Sequence, residues 1–358
     1  MRVCEQILDM ARWAPSGDNT QPWRFEIADE DKIVVHGFDT RENCVYDLDG
    51  HPSQMALGAL LETLRIAATG YGLHTDVMRR LGLANEKPTF DVRFTPDPLL
   101  KPNSLIPFIK VRAVQRRPLS TRPLSAEQKS VLEASVAPGY KIVWFETSNE
   151  RWRVAKLLFH NAELRLTTRE AYEVHRSVIE WNSRFSEDKI PEQAVGVDPL
   201  TAKLMRWLMQ SWSRVEFFNK WFAGTVAPRL QLDLIPGMAC AAHFGLVAHA
   251  VPESVDHYVA AGQAMQRFWL EATRLGLWLQ PEMTPVIFTR YHRELRSFTS
   301  NVASQALAGE IASGFTTLFG ENHAKRVVFF ARLGTGRAPI SRSIRLPLSR
   351  LMFRNKDK

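Results

Sequence analysis

The sequence predicts an α+β protein built from two related halves. Segments with apolar residues at helical spacing alternate with short apolar/polar stretches that are typical of strands. An apolar, glycine-bearing segment around Gly58 recurs around Gly262. In both halves a short helical segment ends in Ala-Pro before a strand, at Ala14 and at Ala137. Together these three observations favour a duplicated α+β unit within one chain.

Length and composition are those of a globular protein. The chain has 358 residues, with 45% hydrophobic and 23% charged residues, which suits one large or two medium domains. No apolar run reaches the ~20 residues of a membrane span, so we expect no membrane-spanning segment, and a membrane contact is considered only for the insertion described below. Cys4, Cys44 and Cys240 form no CxxC pair, which predicts neither a disulfide nor a metal site. This cysteine usage and the charged, amphipathic start predict a cytoplasmic protein without a signal peptide.

The net charge of +8 is concentrated at the carboxyl terminus. Eight basic residues and one acidic residue lie between positions 332 and 358, so this segment carries +7 and the rest of the chain +1. A nucleic-acid-binding protein more often spreads its basic residues over a face or a helix. The cluster therefore predicts a phosphate clamp at 337–345 and a solvated tail after Arg350, and no nucleic-acid partner.

A proline-punctuated linker at 96–107 marks the boundary between the halves, which we assign to residues 1–110 and 111–358. In the second half, Ser125 and the carboxylate that follows it are typical of a helix start. A mostly helical insertion spans 150–229. The other predicted elements are an amino-terminal helix, strands at 23–27, 32–36, 73–78, 90–94, 140–146, 244–249 and 327–333, helices at 52–70 and 255–275, and irregular chain at 280–284.

The repeat becomes visible when Gly58 is aligned with Gly262, an offset of 204 residues. The same offset pairs Gly72 with Gly276. Two fused copies of one unit can reproduce a two-fold homodimer within a single chain. Apolar positions also match at this offset: Met55 with Val259, Leu60 with Ala264, and Leu64 with Phe268.

The loop at 14–23 is rich in side chains that form directional hydrogen bonds. Two prolines bracket it, so no regular helix can run through it, and Ser16, Asn19 and Gln21 lie between them. Loops held by a scaffold in this way often carry function. The alternative is a polar turn that precedes a core tryptophan, Trp23.

Three motifs carry a resemblance to a known family. The run Ala-Pro-Ser-Gly-Asp-Asn-Thr-Gln-Pro-Trp at 14–23 resembles the Ala-Pro-Ser-x-x-Asn-x-Gln-Pro-Trp signature of the FMN-dependent nitroreductases. Ser120-Thr121-Arg122, preceded by Arg116 and Arg117, resembles that family's Arg-x-Ser-x-Arg/Lys segment, with one extra residue. The segment at 342–347 resembles its carboxyl-terminal phosphate contact. The length of the chain, its internal repeat and the division of the motifs between its two halves resemble the fused-dimer, Acg-like subgroup of that family.

The resemblance implies a nitroreductase-like fold with one intact FMN site between the halves. Arginine suits the FMN phosphate because its planar fork donates two parallel hydrogen bonds, and amide side chains suit the mixed donors and acceptors of the flavin edge. No catalytic side chain and no metal ligand is assigned. The residues implied in cofactor binding are Ser16, Asn19, Gln21, Arg116, Arg117, Ser120, Arg122, Gln280, Pro281, Arg342 and Arg345.

The function implied by the resemblance is FMN-dependent oxidoreduction of a conjugated or aromatic organic molecule, with NADH or NADPH as a possible electron donor. One alternative is a non-enzymatic protein that sequesters or stores FMN. Another is a pathway-dedicated flavin dehydrogenase or oxidase that works with a partner enzyme. A monomeric pseudo-dimer and a homo-oligomer of it are both compatible with the sequence.

The insertion at 150–229 has three possible roles. In the first, its helices pack on the core. In the second, they cover the flavin as a lid, and in the third they lie on a membrane surface. The apolar residues Leu204, Val215 and Phe222 recur at helical spacing within it. In the lid hypothesis four aromatic side chains shape the pocket: Trp207, Trp212, Phe218 and Trp221.

Overall fold

The computed structural model describes residues 2–222 and 224–353, so the last part of the predicted basic tail, 354–358, lies outside the described residues. The helices are α1 (Val3–Ala11), α2 (His51–Thr69), α3 (Ala126–Ala134), α4 (Ser148–Thr167), α5 (Arg169–Val178), α6 (Glu192–Val195), α7 (Pro199–Leu208), α8 (Trp212–Trp221), α9 (Val226–Arg229), α10 (Ile235–Met238), α11 (Val255–Arg274), α12 (Thr284–Arg293), α13 (Val302–Phe319), α14 (Glu321–Ala324) and α15 (Leu348–Leu351). The strands are β1 (Trp23–Ile27), β2 (Lys32–Gly37), β3 (Leu73–Arg79), β4 (Thr89–Pro96), β5 (Tyr140–Phe145), β6 (Ile179–Glu180), β7 (Phe185–Ser186), β8 (Ile190–Pro191), β9 (Ala242–Ala248), β10 (Trp278–Pro281), β11 (Val327–Gly334) and β12 (Arg342–Ser343).

Two four-stranded antiparallel sheets share one strand order. The first sheet runs β1-β2-β4-β3 and the second runs β5-β9-β11-β10. Within each half, the strands therefore lie in the order first, second, fourth, third. The two halves differ in the length of the connection between their first two strands. Residues 146–241 separate the first two strands of the second half, whereas residues 28–31 make the corresponding turn in the first half.

The long helices α2 and α11 cross in very close contact. A Cβ atom added to Gly58 would lie 1.9 Å from the carbonyl oxygen of Val259, and one added to Gly262 would lie 1.9 Å from that of Met55. Only glycine lets two backbones approach this closely. The crossing brings together the same residues that pair at the 204-residue offset of the sequence.

A continuous apolar core extends through both halves. It includes Trp23 and Phe25 of β1, Leu57 of α2, and Phe244 and Phe268 of β9 and α11. Trp23 is completely buried, so its predicted place in the core is confirmed. A second apolar cluster lies where α4, α12 and α13 cover the second sheet.

Each half also extends onto the sheet of the other half. After β4 the chain reaches β10, where Val114 forms a parallel bridge with Leu279. After β11 the chain returns to β1, where Met352 forms a parallel bridge with Phe25. These exchanges bring the polar loop of the first half close to segments of the second.

The predicted elements agree with the structure except in one region. The irregular chain predicted at 280–284 is confirmed at 282–283 and wrong at its two ends, because Trp278–Pro281 forms β10 and pairs with β11, and Thr284 begins α12. Pro281 lacks a backbone N–H, which suggested irregular chain, but proline is tolerated at the margin of a sheet. The helices α12 and α13 that follow were not predicted. Among the described residues, no helix is long and apolar enough to cross a membrane.

Candidate functional site

The polar loop after α1 has an unusual backbone. Asp18, Asn19 and Gln21 have φ values of 48°, 64° and 49°, in the left-handed region that non-glycine residues seldom adopt. The Ser16 Oγ atom accepts a hydrogen bond from the Gln21 backbone N–H at 3.0 Å. The loop is therefore held in one strained shape, at a cost on the order of 1 kcal/mol for each such residue.

The amide side chains of the loop bind two distant segments. Gln21 is buried, and its Nε2 atom donates to the Glu187 carbonyl oxygen at 2.8 Å while its Oε1 atom accepts from the Leu346 N–H at 3.0 Å. The Asn19 Nδ2 atom donates to the carbonyl oxygens of Glu187 and Ile344 at 3.0 and 3.2 Å. The Asn19 Oδ1 atom is buried and has no hydrogen-bond partner among the described residues. One acceptor of the loop thus remains available.

Arg116 of the second half approaches Asp18 of this loop. Burial raises the pKa of Asp18, and the positive charges of Arg116 and Arg165 oppose that rise. Burial also lowers the pKa of Arg116 to about 10, although the Asp18 carboxylate opposes the change. The Arg116 Nη1 atom donates to the Ala194 carbonyl oxygen at 3.0 Å. Both Asp18 and Arg116 are only partly buried, and the charge of each acts on the pKa of the other.

Other half-buried polar side chains line the same region. The Tyr46 hydroxyl lies 3.0 Å from His175 Nε2, and Arg165 Nη2 donates to Asp233 Oδ1 at 2.8 Å. Burial and the charge of Arg165 lower the pKa of His175 to about 3, so this histidine is neutral. Burial and the Asp18 charge raise the pKa of the Cys44 thiol to about 12. We call the following residues the inner cleft: Asp18, Cys44, Tyr46, Arg116, Arg165 and His175.

A buried ionic triad adjoins the inner cleft. The His243 Nδ1 atom lies 2.7 Å from Glu282 Oε2, and its Nε2 atom lies 2.7 Å from the Gly237 carbonyl oxygen. Both ring nitrogens face acceptors, so His243 donates twice and carries a positive charge. Arg332 donates to Glu282 Oε1 at 2.7 Å and to the Arg116 carbonyl oxygen at 2.8 Å. The triad thus adds positive charge directly behind Arg116.

Gln280 lies beside Arg332 on the second sheet, because the two are partners in the β10–β11 register. The Gln280 Nε2 atom donates to the Pro281 carbonyl oxygen at 2.7 Å, and its Oε1 atom is buried without a partner. The Arg332 Nε atom is also buried without a partner. This strand pair therefore presents one free acceptor and one free donor.

The predicted phosphate contacts at the carboxyl terminus support the loop instead of meeting Arg116. The Arg345 Nε and Nη2 atoms donate to the Ala14 carbonyl oxygen at 3.0 and 2.9 Å. Arg112 donates to the Trp13 carbonyl oxygen at 2.8 Å. Burial and the charge of Arg342 lower the pKa of Arg345 to about 9, and Arg112 shifts in the same direction. These guanidinium groups hold the end of α1 and the start of the loop.

The remaining predicted residues lie outside the inner cleft. Arg117, Ser120 and Arg122 are exposed, and the Ser120 Oγ atom accepts from the Arg122 backbone N–H at 3.2 Å. Arg342 donates to the Lys110 carbonyl oxygen at 2.8 Å and lies over the Trp13 ring. Of the predicted arginines, the structure brings Arg116 alone to Asp18.

Sequence reasoning missed several residues of this region. Asp18 occupies an unspecified position of the loop motif, and Tyr46 belongs to no motif and lies in the connection between β2 and α2. His243 interrupts the apolar strand β9, and a buried histidine in such a strand is the signal that could have suggested a buried ion pair. Its partner Glu282 directly follows β10, which lies on the far side of β11 in the same sheet. Among residues 2–222 and 224–353, no group of three side chains is arranged to hold a metal ion.

Comparison with known proteins finds only distant likenesses. No protein-family model matches the chain, and no curated protein matches it. It is similar in structure to a nitroreductase-like family protein from Bacillus cereus, with 14% identity, a TM-score of 0.34, and coverage of 70% of this chain and 95% of that one. It is also similar to the FMN and NADPH-dependent nitroreductase NfnB from sphigopyxis sp. strain HMH, with 14% identity, a TM-score of 0.36, and coverage of 71% and 99%. Such distant likenesses do not assign the chain to a family or an activity.

Proposed function

We propose that this chain is an FMN-dependent oxidoreductase. Its substrate is a conjugated or aromatic organic molecule, and its electron donor is NADH or NADPH. The flavin binds where the loop of the first half meets Arg116 and the Gln280–Arg332 pair of the second half. The loop motif supports this assignment from the sequence, and the inner cleft supports it from the geometry.

One observation carries the proposal: the segments that meet here carry buried polar atoms without a hydrogen-bond partner among the described residues. They include two acceptors, Asn19 Oδ1 and Gln280 Oε1, and two donors, Arg165 Nε and Arg332 Nε. A buried polar atom without a partner costs about 1–3 kcal/mol, so a ligand that supplies the missing partners gains affinity. The edge of an isoalloxazine ring carries both a donor and several acceptors, and it fits this set.

The charge of the region suits a phosphate. Arg116 hydrogen-bonds only a backbone carbonyl oxygen among the described residues, so its guanidinium can still bind an anion. The buried triad of His243, Glu282 and Arg332 adds a net positive charge behind it. We therefore assign the phosphate to Arg116, with Ser120 and Arg122 as further contacts when their exposed turn closes. Arg342 and Arg345 act by holding the loop.

When bound, FMN supplies the hydride transfer, and the protein's own groups bind and orient it. Asn19 and Gln280 orient the ring, while Arg116 neutralises the phosphate. His175 is neutral and Tyr46 is protonated, so these two side chains add no charge to the region. We assign no side chain as a proton donor.

We further propose that the two halves arose by duplication, so that one chain imitates a two-fold dimer. The shared strand order and the reciprocal contacts of Gly58 and Gly262 support this origin. The halves have diverged at the site. Only the first half carries the Asn19–Gln21 loop, and only the second carries Arg116, so one flavin is expected for each chain.

The test is direct measurement of the cofactor. The purified protein should show a flavin absorption spectrum, and mass spectrometry of the released cofactor should identify FMN at one per chain. In titrations of the apoprotein with FMN, Arg116→Ala should weaken binding by about a hundredfold, on the order of a lost charge-assisted contact. Arg117→Ala, an exposed neighbour, is the matched control. Absence of flavin binding, or equal losses in the two variants, contradicts the proposal.

A second candidate function is storage of FMN without turnover. It is favoured by the way Asn19 and Gln21 tie the insertion onto the loop through the Glu187 carbonyl oxygen. Such a closure slows exchange of a bound ligand and hinders access of a second one. Anaerobic addition of NADPH to the flavin-loaded protein separates the two functions, since an oxidoreductase loses its flavin absorption within the time of turnover and a storage protein keeps it.

A further inference from the structure

The insertion displays an apolar surface that no described part of the chain covers. It lies on α7 and α8, two helices of 10 residues each. Trp207 is 48% exposed, Phe217 57% and Trp221 66%. We define the α7–α8 surface by the exposed side chains Leu200, Leu204 and Trp207 of α7, and Phe217 and Trp221 of α8.

The spacing of these residues is that of a face that amphipathic helices normally bury. Leu200, Leu204 and Trp207 follow the i, i+4, i+7 pattern, and Phe217 and Trp221 are four residues apart. Yet α8 buries none of its residues and α7 buries only Ala202. A set of exposed apolar side chains of this kind on two joined helices marks an interaction site on a folded protein.

The rest of the molecule holds this surface outward. On the inner side, the Trp212 ring packs against the Tyr172 ring at 5.4 Å, and Asn219 Nδ2 donates to the Leu166 carbonyl oxygen at 2.9 Å. The two helices are joined to each other, since Arg214 donates to the Trp207 carbonyl oxygen at 3.0 Å. Trp207 and Trp221 lie on the exposed side of these two helices.

Positive charge accompanies the apolar side chains. Between positions 199 and 222 there are four basic residues and one acidic residue, Glu216. The Lys220 ammonium lies 5.4 Å from the Trp221 ring centroid, and the Arg214 guanidinium lies 4.7 Å from that of Trp207. The basic residues are Lys203, Arg206, Arg214 and Lys220.

We propose that the α7–α8 surface docks onto an anionic lipid bilayer. Tryptophan and phenylalanine favour the boundary between headgroups and acyl chains, while lysine and arginine bind anionic headgroups. Each helix is shorter than the ~20 residues of a span, so the contact is peripheral. A second copy of the chain is a poorer partner, because an isologous contact would set two positively charged surfaces against each other.

The test is co-sedimentation of the full-length protein with lipid vesicles. We expect binding to vesicles of phosphatidylcholine mixed equally with phosphatidylglycerol, and little binding to phosphatidylcholine alone. Added salt should weaken the binding, because it screens the contribution of the basic residues. Failure to bind the anionic vesicles overturns the proposal.

Two double variants test whether this surface is responsible. Trp207→Ser with Trp221→Ser, and Lys203→Glu with Lys220→Glu, should each lower the vesicle partition constant by about tenfold or more. The matched controls are Trp152→Ser, at a tryptophan that is also 48% exposed but lies on α4, and Lys87→Glu with Lys101→Glu, at exposed lysines of the first half and the linker. The controls should bind as the parent protein does.

Two other outcomes would overturn the proposal. Unchanged vesicle binding in both double variants, with thermal melts that show folded protein, would place the lipid contact elsewhere and overturn the proposal. Sedimentation velocity without lipid tests the alternative, which is that a second copy of the chain binds this surface. Concentration-dependent self-association that the tryptophan variant abolishes, together with no vesicle binding, would assign the surface to a second copy of the chain.

Discussion

Gly58 and Gly262 occupy reciprocal positions at the crossing of α2 and α11. A Cβ atom at Gly58 would meet the Val259 carbonyl oxygen at 1.9 Å, and one at Gly262 would meet the Met55 carbonyl oxygen at the same distance. Both obstacles are backbone atoms of rigid helices, so neither can move aside cheaply. The packing of the two halves therefore depends on the absence of two methyl groups.

Gly58→Ala should destabilise the protein by at least about 3 kcal/mol, because the helices must separate to admit the methyl group. Gly262→Ala should have a similar effect, and both are measured by urea unfolding. The control is Gly139→Ala, where an added Cβ meets nothing within 4 Å. A neutral result at Gly58 would show that the helices cross differently.

The buried histidine predicts a specific pH dependence. Burial by itself lowers the pKa of His243, but the adjacent Glu282 carboxylate outweighs it and raises that pKa to about 10. The unfolded chain has a histidine pKa near ~6.5, so the folded state binds the proton more tightly. The resulting stabilisation is complete below pH ~6.5 and disappears as the pH rises toward 10.

His243→Gln removes this stabilisation and should cost roughly 3–5 kcal/mol at pH 7, as expected for a broken buried ion pair. The difference between variant and parent should shrink when unfolding is repeated at progressively higher pH. His249→Gln, at an exposed histidine, is the control. A difference that stays constant with pH would mean that His243 is not charged in the folded protein.

The Gln21 side chain links the loop to two remote segments, and replacing it tests that role. Gln21→Met keeps the volume but removes the bonds to Glu187 and Leu346, and it leaves the buried Leu346 N–H without an acceptor. We expect a loss of roughly 2–4 kcal/mol and faster proteolysis near 187–189. The exposed Gln193→Met should change neither quantity, and parent-like proteolysis of the Gln21 variant would refute the link.

Tyr46 connects the first half to the insertion through His175. Tyr46→Phe removes a hydroxyl 3.0 Å from His175 Nε2 and should destabilise the protein by about 1–2 kcal/mol. Tyr71→Phe, where the hydroxyl bonds Gln6 at an exposed site, is the control and should cost less. Because His175 is held neutral, with a folded pKa of about 3, stability should also fall as the pH drops below ~6.5. Equal losses in the two tyrosine variants would contradict the buried contact.

Much of the fold follows from local patterns. Alternation located the strand at 23–27, and the strand at 327–333, an almost continuous apolar run, was located to within a residue. Apolar patterns also located the helices α2 and α11. The strand β10 was missed because Pro281 argues locally against a strand. Its pairing with β11 is a long-range contact, and no local signal reports such a contact.

The sequence by itself determined the elements, the repeat and the chemically unusual loop, because periodicity, proline positions and residue type act over short distances. The tertiary structure alone decided which charges meet. It brought the charge of Arg116 to act on Asp18 and directed the Arg345 guanidinium to the Ala14 carbonyl oxygen, although both arginines belong to motifs of similar appearance. It also turned Trp207 and Trp221 outward. Such outcomes depend on how separate segments pack, and burial then decides which polar groups must find a partner.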